Sequence, residues 1–135
     1  MHTSGTLLEK VNEAIKTIDL SKSPGELYLP ISYTLGLGGK RIRPVLVLLT
    51  CEIFGGDLNS AVNPAIAIEV FHNFTLLHDD IMDNAPLRRG KETVFKKWNA
   101  NVAILSGDTM FALAYKHLIK TDKNILDDIL EIFTN

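Results

Sequence analysis

Along most of this chain apolar residues recur every three or four positions, the spacing of one buried face on an α-helix, and no stretch alternates with the period of two that marks a half-buried strand. The pattern predicts helices over about 5–19, 24–36, 44–55, 63–83, 92–98, 101–120 and 123–134. Gly36, Gly38, Gly39, Gly55, Gly56 and Gly90 punctuate them. The expected fold is all-α, an antiparallel helical bundle in which residues 1–135 form a single helical domain. Leu7, Leu8, Val11, Ile15 and Ile18 fall on the core side of the first helix, and Trp98, Met110 and Tyr115 read as packing residues. The fourth helix is expected to begin with Asn63 as N-cap and Pro64 in its first turn, and to stop before Pro86.

Three carboxylates, Asp79, Asp80 and Asp83, occupy the last turn of that fourth helix. Negative charge there opposes the helix macrodipole by roughly 0.3 to 1 kcal/mol per group, and neighbouring carboxylates repel one another. A bound cation removes both penalties, whereas a plain solvated acidic helix end would be spelled the same way. At 100° per residue His72, Leu76, Asp79 and Asp83 fall within roughly 60° of arc, while Asp80 points away from that line. Oxygen donors without a cysteine nearby suit Mg²⁺, which binds through one or two carboxylates plus substrate phosphates. Arg88 and Arg89 follow in a loop shaped by Pro86 and Gly90, and a guanidinium offers phosphate oxygens a planar fork.

A second basic cluster lies in Gly38-Gly39-Lys40-Arg41-Ile42-Arg43-Pro44. Its glycines let backbone approach a ligand, and Pro44 is preset for the first turn of a helix, so Lys40 and Arg43 stand at a helix entrance that already favours an anion. The run lacks the spacing of a Walker loop.

Gly39 to Pro44, His72, His78-Asp79-Asp80-Ile81-Met82-Asp83, Arg88-Arg89-Gly90 and Leu105-Ser106-Gly107-Asp108 together resemble the trans-isoprenyl diphosphate synthases, the polyprenyl synthetase family that includes farnesyl and geranylgeranyl diphosphate synthases. The resemblance implies the isoprenoid synthase fold. It also implies an enzyme that condenses isopentenyl diphosphate with an allylic diphosphate (dimethylallyl, geranyl or farnesyl) by Mg²⁺-assisted ionisation. Asp79 and Asp83 would hold the Mg²⁺ on the allylic diphosphate with Asp80 supporting them, and Arg88 would contact that diphosphate. Lys40, Arg43, His72 and Arg89 would form the isopentenyl diphosphate site, and the enzyme would be a homodimer. Phe74 and Thr75, five and four positions before Asp79, are similar to the chain-length residues of one class of geranylgeranyl diphosphate synthase; the product is expected to be geranylgeranyl or farnesyl diphosphate.

Members of that family are about twice this length and carry a second aspartate-rich motif on a later helix. Asp127-Asp128-Ile129-Leu130-Glu131 does not match it, and its acids are expected to face water on an amphipathic helix. The chain is thus expected to be the front half of a synthase, inactive in isolation; the rival is a non-catalytic half-length subunit or binding module that partners a complete synthase. A helical di-iron protein would need paired Glu-x-x-His motifs, which are missing.

Composition narrows the partners. A net charge of -2 argues against nucleic acid or an anionic membrane, and the longest apolar run is too short to span a bilayer, so no stable membrane insertion is expected. Cys51 stands alone in an apolar helix and reads as a core thiol of a reducing compartment. The polar N-terminus lacks the marks of a signal peptide, and the expected location is cytoplasmic.

Overall fold

The computed structural model describes all 135 residues. It contains α1 (Ser4–Lys16), α2 (Gly25–Gly36), α3 (Ile42–Ile53), α4 (Leu58–Met82), β1 (Leu87–Arg88), β2 (Lys91–Glu92), α5 (Val94–Lys97), α6 (Ala100–Leu118) and α7 (Leu126–Thr134). The all-α expectation holds, and no helix is long and apolar enough to cross a membrane.

Two elements differ from the helical pattern. Helix α4 starts at Leu58, ahead of Asn63, because Asp57 caps it: its carboxylate accepts the Asn59 N–H at 3.1 Å and its carbonyl accepts the Ser60 hydroxyl at 2.6 Å. Pro64 is carried inside the helix and Asn63 is not its cap. The second difference is an antiparallel ribbon pairing Leu87 with Glu92 and Arg88 with Lys91, so the helix expected from residue 92 is confined to α5. Its two-residue turn has Arg89 at φ 54° and Gly90 at φ 74°, the pair of positive angles that a type I′ turn requires. An arginine in the left-handed region is an uncommon spelling of that turn, so the local pattern did not mark it.

The chain divides into two compact units. The first comprises Met1–Thr17, Arg41–Glu69 and Leu113–Asn135. Its core is Leu7 and Val11 of α1, Leu48 of α3, and Ala61 and Ala65 of α4, with half-buried Ile15, Val45 and Cys51 packed against it. Each fully buried leucine contributes about 1.5–3 kcal/mol. Thr3 caps α1 through a 3.2 Å bond to the Thr6 N–H, and His2 Nδ1 lies 2.6 Å from Glu52 Oε1, which holds that carboxyl below its usual range. Asp127, Asp128 and Glu131 on α7 are exposed, as their pattern predicts.

Arg41 breaks from its basic neighbours. It is buried at φ 49°, immediately before α3, and its Nη1 donates to Oε1 of buried Glu69 at 2.5 Å. The second unit comprises Ile18–Lys40 and Val70–Ala112. Ile31 and Leu35 of α2, Val70 and Leu77 of α4, Val94 of α5, and Ala103 and Met110 of α6 are buried in it. Tyr33 meets Trp98 edge-on at 5.4 Å and donates its hydroxyl to the Glu92 carbonyl at 2.8 Å, so Trp98 is a packing residue.

Removing one member of a buried ion pair strands the other charge, whereas replacing both by apolar side chains of similar volume is close to neutral. Glu69→Leu is therefore expected to destabilise the chain by about 3–5 kcal/mol, and adding Arg41→Met to recover most of that loss. Urea unfolding of the two variants measures it; a double variant no more stable than Glu69→Leu contradicts the pairing. Buried His117, with Nδ1 3.4 Å from Asn63 Oδ1, has its pKa pushed down to about 4 by burial and by Lys120 and Lys116. Between pH 6.5 and 4 the unfolded chain protonates this ring and the folded chain does not, so stability falls as the pH falls through that window. His117→Gln is expected to remove on the order of 2 kcal/mol of this pH dependence, read from unfolding midpoints at pH 7 and 4.5.

Candidate functional site

The acidic end of α4 is shaped by how the helix stops. Asn84 takes φ 49°, its N–H bonds to the Ile81 carbonyl at 3.1 Å, and the Ala85 N–H reaches back to the Asp80 carbonyl at 2.9 Å. This is a Schellman ending with asparagine in place of glycine, and it satisfies carbonyls that a helix end leaves open. Asp79 and Asp83 are consequently exposed one turn apart on the same side of the chain. No three histidine, cysteine or acidic side chains gather anywhere in the chain as a ready metal cluster.

Asp80 is turned inward, with its side chain 6% exposed, and it grips Arg88 of β1. Arg88 Nε donates to both carboxylate oxygens, at 2.9 and 3.0 Å, and Nη2 lies 2.7 Å from Oδ1. The Asp80 hydrogen bond raises the arginine's pKa above its ordinary value, and the charges of Asp79 and Asp83 add to the effect. The Arg88 side chain is still 29% exposed, so the pair is not sealed from solvent.

Arg89, next in the turn, donates Nη1 to the Gly38 carbonyl, which docks the ribbon's turn on the glycine loop that leads to exposed Lys40. Arg43 is exposed in the first turn of α3, in the first unit. His72 is half-buried on α4, and its carbonyl accepts the Thr75 hydroxyl at 2.7 Å, so Thr75 spends its polar group on its own helix.

Phe74 stands in a nest of rings. Phe71 at 5.3 Å, Phe111 of α6 at 5.5 Å and His78 at 4.8 Å each meet it edge-on, the arrangement that aromatic quadrupoles favour. His78 is held against α6, with Nε2 3.3 Å from the Ile104 carbonyl and 3.8 Å from Asp108 Oδ1. A Cβ on Gly107 would lie 2.5 Å from that Nε2, so the glycine of Leu105-Ser106-Gly107-Asp108 makes room for the ring.

The partners of the buried charges and of Phe74 are not marked by helical periodicity. Glu69 in the apolar run Ala65-Ile66-Ala67-Ile68-Glu69-Val70 was a usable signal, because a glutamate at a buried helical position needs a cation. Phe111 carried no signal, since its contact with Phe74 spans 37 residues of sequence.

The family model for polyprenyl synthetases matches residues 24–135. The geranylgeranyl pyrophosphate synthase of Geoglobus acetivorans is 46% identical over 112 residues, covering 83% of this chain and 35% of that protein. A crystal structure of a geranylgeranyl pyrophosphate synthase superposes with a TM-score of 0.89 at 48% identity, over 99% of this chain and 41% of the other. The geranylgeranyl pyrophosphate synthetase of Pyrococcus horikoshii superposes with a TM-score of 0.86 at 37% identity, over 96% and 42%. The chain thus spans about a third of the length of the curated relatives it matches. With the acidic helix end, the paired arginines and the glycine loop all lying inside the matched residues, this chain belongs to the polyprenyl synthetase family.

Proposed function

We propose that this chain carries the diphosphate-binding part of an isoprenyl diphosphate synthase, which joins isopentenyl diphosphate to an allylic diphosphate. The observation that carries the proposal is the Asp80–Arg88 pair: one inward carboxylate brings a guanidinium to the end of α4, where Asp79 and Asp83 stay exposed for a cation. Two exposed carboxylates without soft ligands fit Mg²⁺, which completes its shell with water and phosphate oxygens, so the lack of a third protein ligand is no obstacle. When bound, Mg²⁺ would supply Lewis-acid neutralisation of the leaving diphosphate.

The remaining steps fall to the chain's own groups. Arg88, locked by Asp80, stabilises charge that grows on the departing diphosphate as the allylic C–O bond breaks. The allylic carbon then bonds to the alkene of isopentenyl diphosphate, and a proton leaves the adduct; the released diphosphate is a suitable base. Lys40, Arg43, His72 and Arg89 are assigned to isopentenyl diphosphate. The rings around Phe74 supply an apolar wall against which a growing isoprenoid tail ends, in keeping with a geranylgeranyl or farnesyl product. Exposed Ile104, Leu105 and Phe111 on α6 support self-association of the chain.

Calorimetry with a non-hydrolysable allylic diphosphate and Mg²⁺ tests the assignment. Asp79→Ala is expected to weaken binding by about tenfold or more, equal to 1.4 kcal/mol per decade, while Asp128→Ala on α7 leaves it unchanged. Equal effects from the two would remove the proposed metal site. For product length, residues 24–135 can replace the matched segment of the Geoglobus acetivorans synthase, with and without Phe74→Ala. The substitution is expected to shift the product mixture to longer chains on chromatography after dephosphorylation; an unchanged mixture means that the tail ends elsewhere.

A further inference from the structure

Two basic loops meet in the second unit at a point where side-chain bulk is missing. Arg89 donates Nη1 to the Gly38 carbonyl, and the rest of its fork lies over Gly39. A Cβ built on Gly39 would stand 2.8 Å from Cζ, 2.8 Å from Nη2 and 2.9 Å from Nη1 of Arg89. Such nearly equal distances to three atoms of one plane mean that the guanidinium presents its flat face to the bare Cα. Gly38, one residue earlier and also at positive φ, has open space where its Cβ would be. The two glycines therefore have different duties: both shape the turn, and only Gly39 makes room for the arginine.

The arrangement has an energetic consequence for an anion. A free arginine side chain loses up to about 2 kcal/mol of rotamer entropy when a ligand immobilises it. An arginine already laid on a glycine and tied by one N–H to a carbonyl has lost much of that freedom before the ligand arrives. Nη1 is used on Gly38, and the planar fork of a guanidinium suits diphosphate oxygens. The seat also holds the guanidinium against Gly39, the residue preceding exposed Lys40.

We propose that Gly39 is a positioning residue, whose missing side chain seats the Arg89 guanidinium and thereby sets affinity for isopentenyl diphosphate. The proposal rests on the assignment of Arg89 and Lys40 to that substrate, and it adds that Gly39 acts through Arg89 alone.

The test compares Gly39→Ala with Gly38→Ala, which strains the same turn without entering the seat. In the ligand-free 135-residue chain, the Nη–H resonances of a held arginine appear separately, and those of a freely turning one merge. Separate Arg89 signals are expected in the wild type and in Gly38→Ala, and merged signals in Gly39→Ala. Calorimetry with isopentenyl diphosphate is expected to show about a tenfold loss for Gly39→Ala and a smaller one for Gly38→Ala, which strains the turn at positive φ but leaves the Arg89 acceptor in place. In an Arg89→Ala background, Gly39→Ala should add no further loss, because the two substitutions remove the same interaction. Unchanged Arg89 resonances in Gly39→Ala, equal losses from the two glycine variants, or an undiminished loss in the Arg89→Ala background would each overturn the proposal. Wild-type protein with separate Arg89 signals but no affinity for isopentenyl diphosphate would overturn the substrate assignment, and the resonances would then decide the seat by themselves.

Discussion

A carboxylate taken out of water must be met by a cation, and helix α4 takes two of them inside. Glu69 and Asp80 lie 11 positions apart, which is three helical turns, so they project from nearly the same side of the helix. Each binds an arginine from a different loop: Arg41 before α3 and Arg88 in the ribbon. Both are pinned by charge-assisted hydrogen bonds, which are shorter and stronger than the neutral bonds that usually hold surface loops.

The same helix thereby divides its acids between two tasks. Asp79 and Asp83 remain exposed, where a hard cation and phosphate oxygens can reach them. Asp80 is unavailable for that purpose in its present pairing; its contribution is to hold Arg88 beside its two acidic neighbours. A site for a highly charged ligand gains from such rigidity, because groups already in place need no reorganisation as charge moves.

The turn at Arg89-Gly90 extends this logic to the next arginine. Arg88 ends β1 and Arg89 takes a left-handed turn conformation, and the two have separate anchors, Asp80 for one and the Gly38 loop for the other. The nest around Phe74 depends likewise on packing between α4 and α6, with Gly107 thin enough to admit His78.

Helical content and the position of α4's acidic end were legible in the chain itself, since periodicity, Pro86 and the spacing from His72 to Asp83 are local properties. Two local signals misled. Pro64 suggested a helix start that Asp57 supplied six residues earlier than Asn63, and a left-handed arginine concealed a two-residue hairpin. Only tertiary structure decided which charges are partners. Arg41 and Arg43, or Asp79 and Asp80, are equivalent letters in a pattern, and what separates a buried pair from an exposed charge is the direction each side chain takes from a helix or turn and what residue 28 or eight positions away arrives to meet it. Those contacts depend on chain closure over distance, which local sequence does not encode.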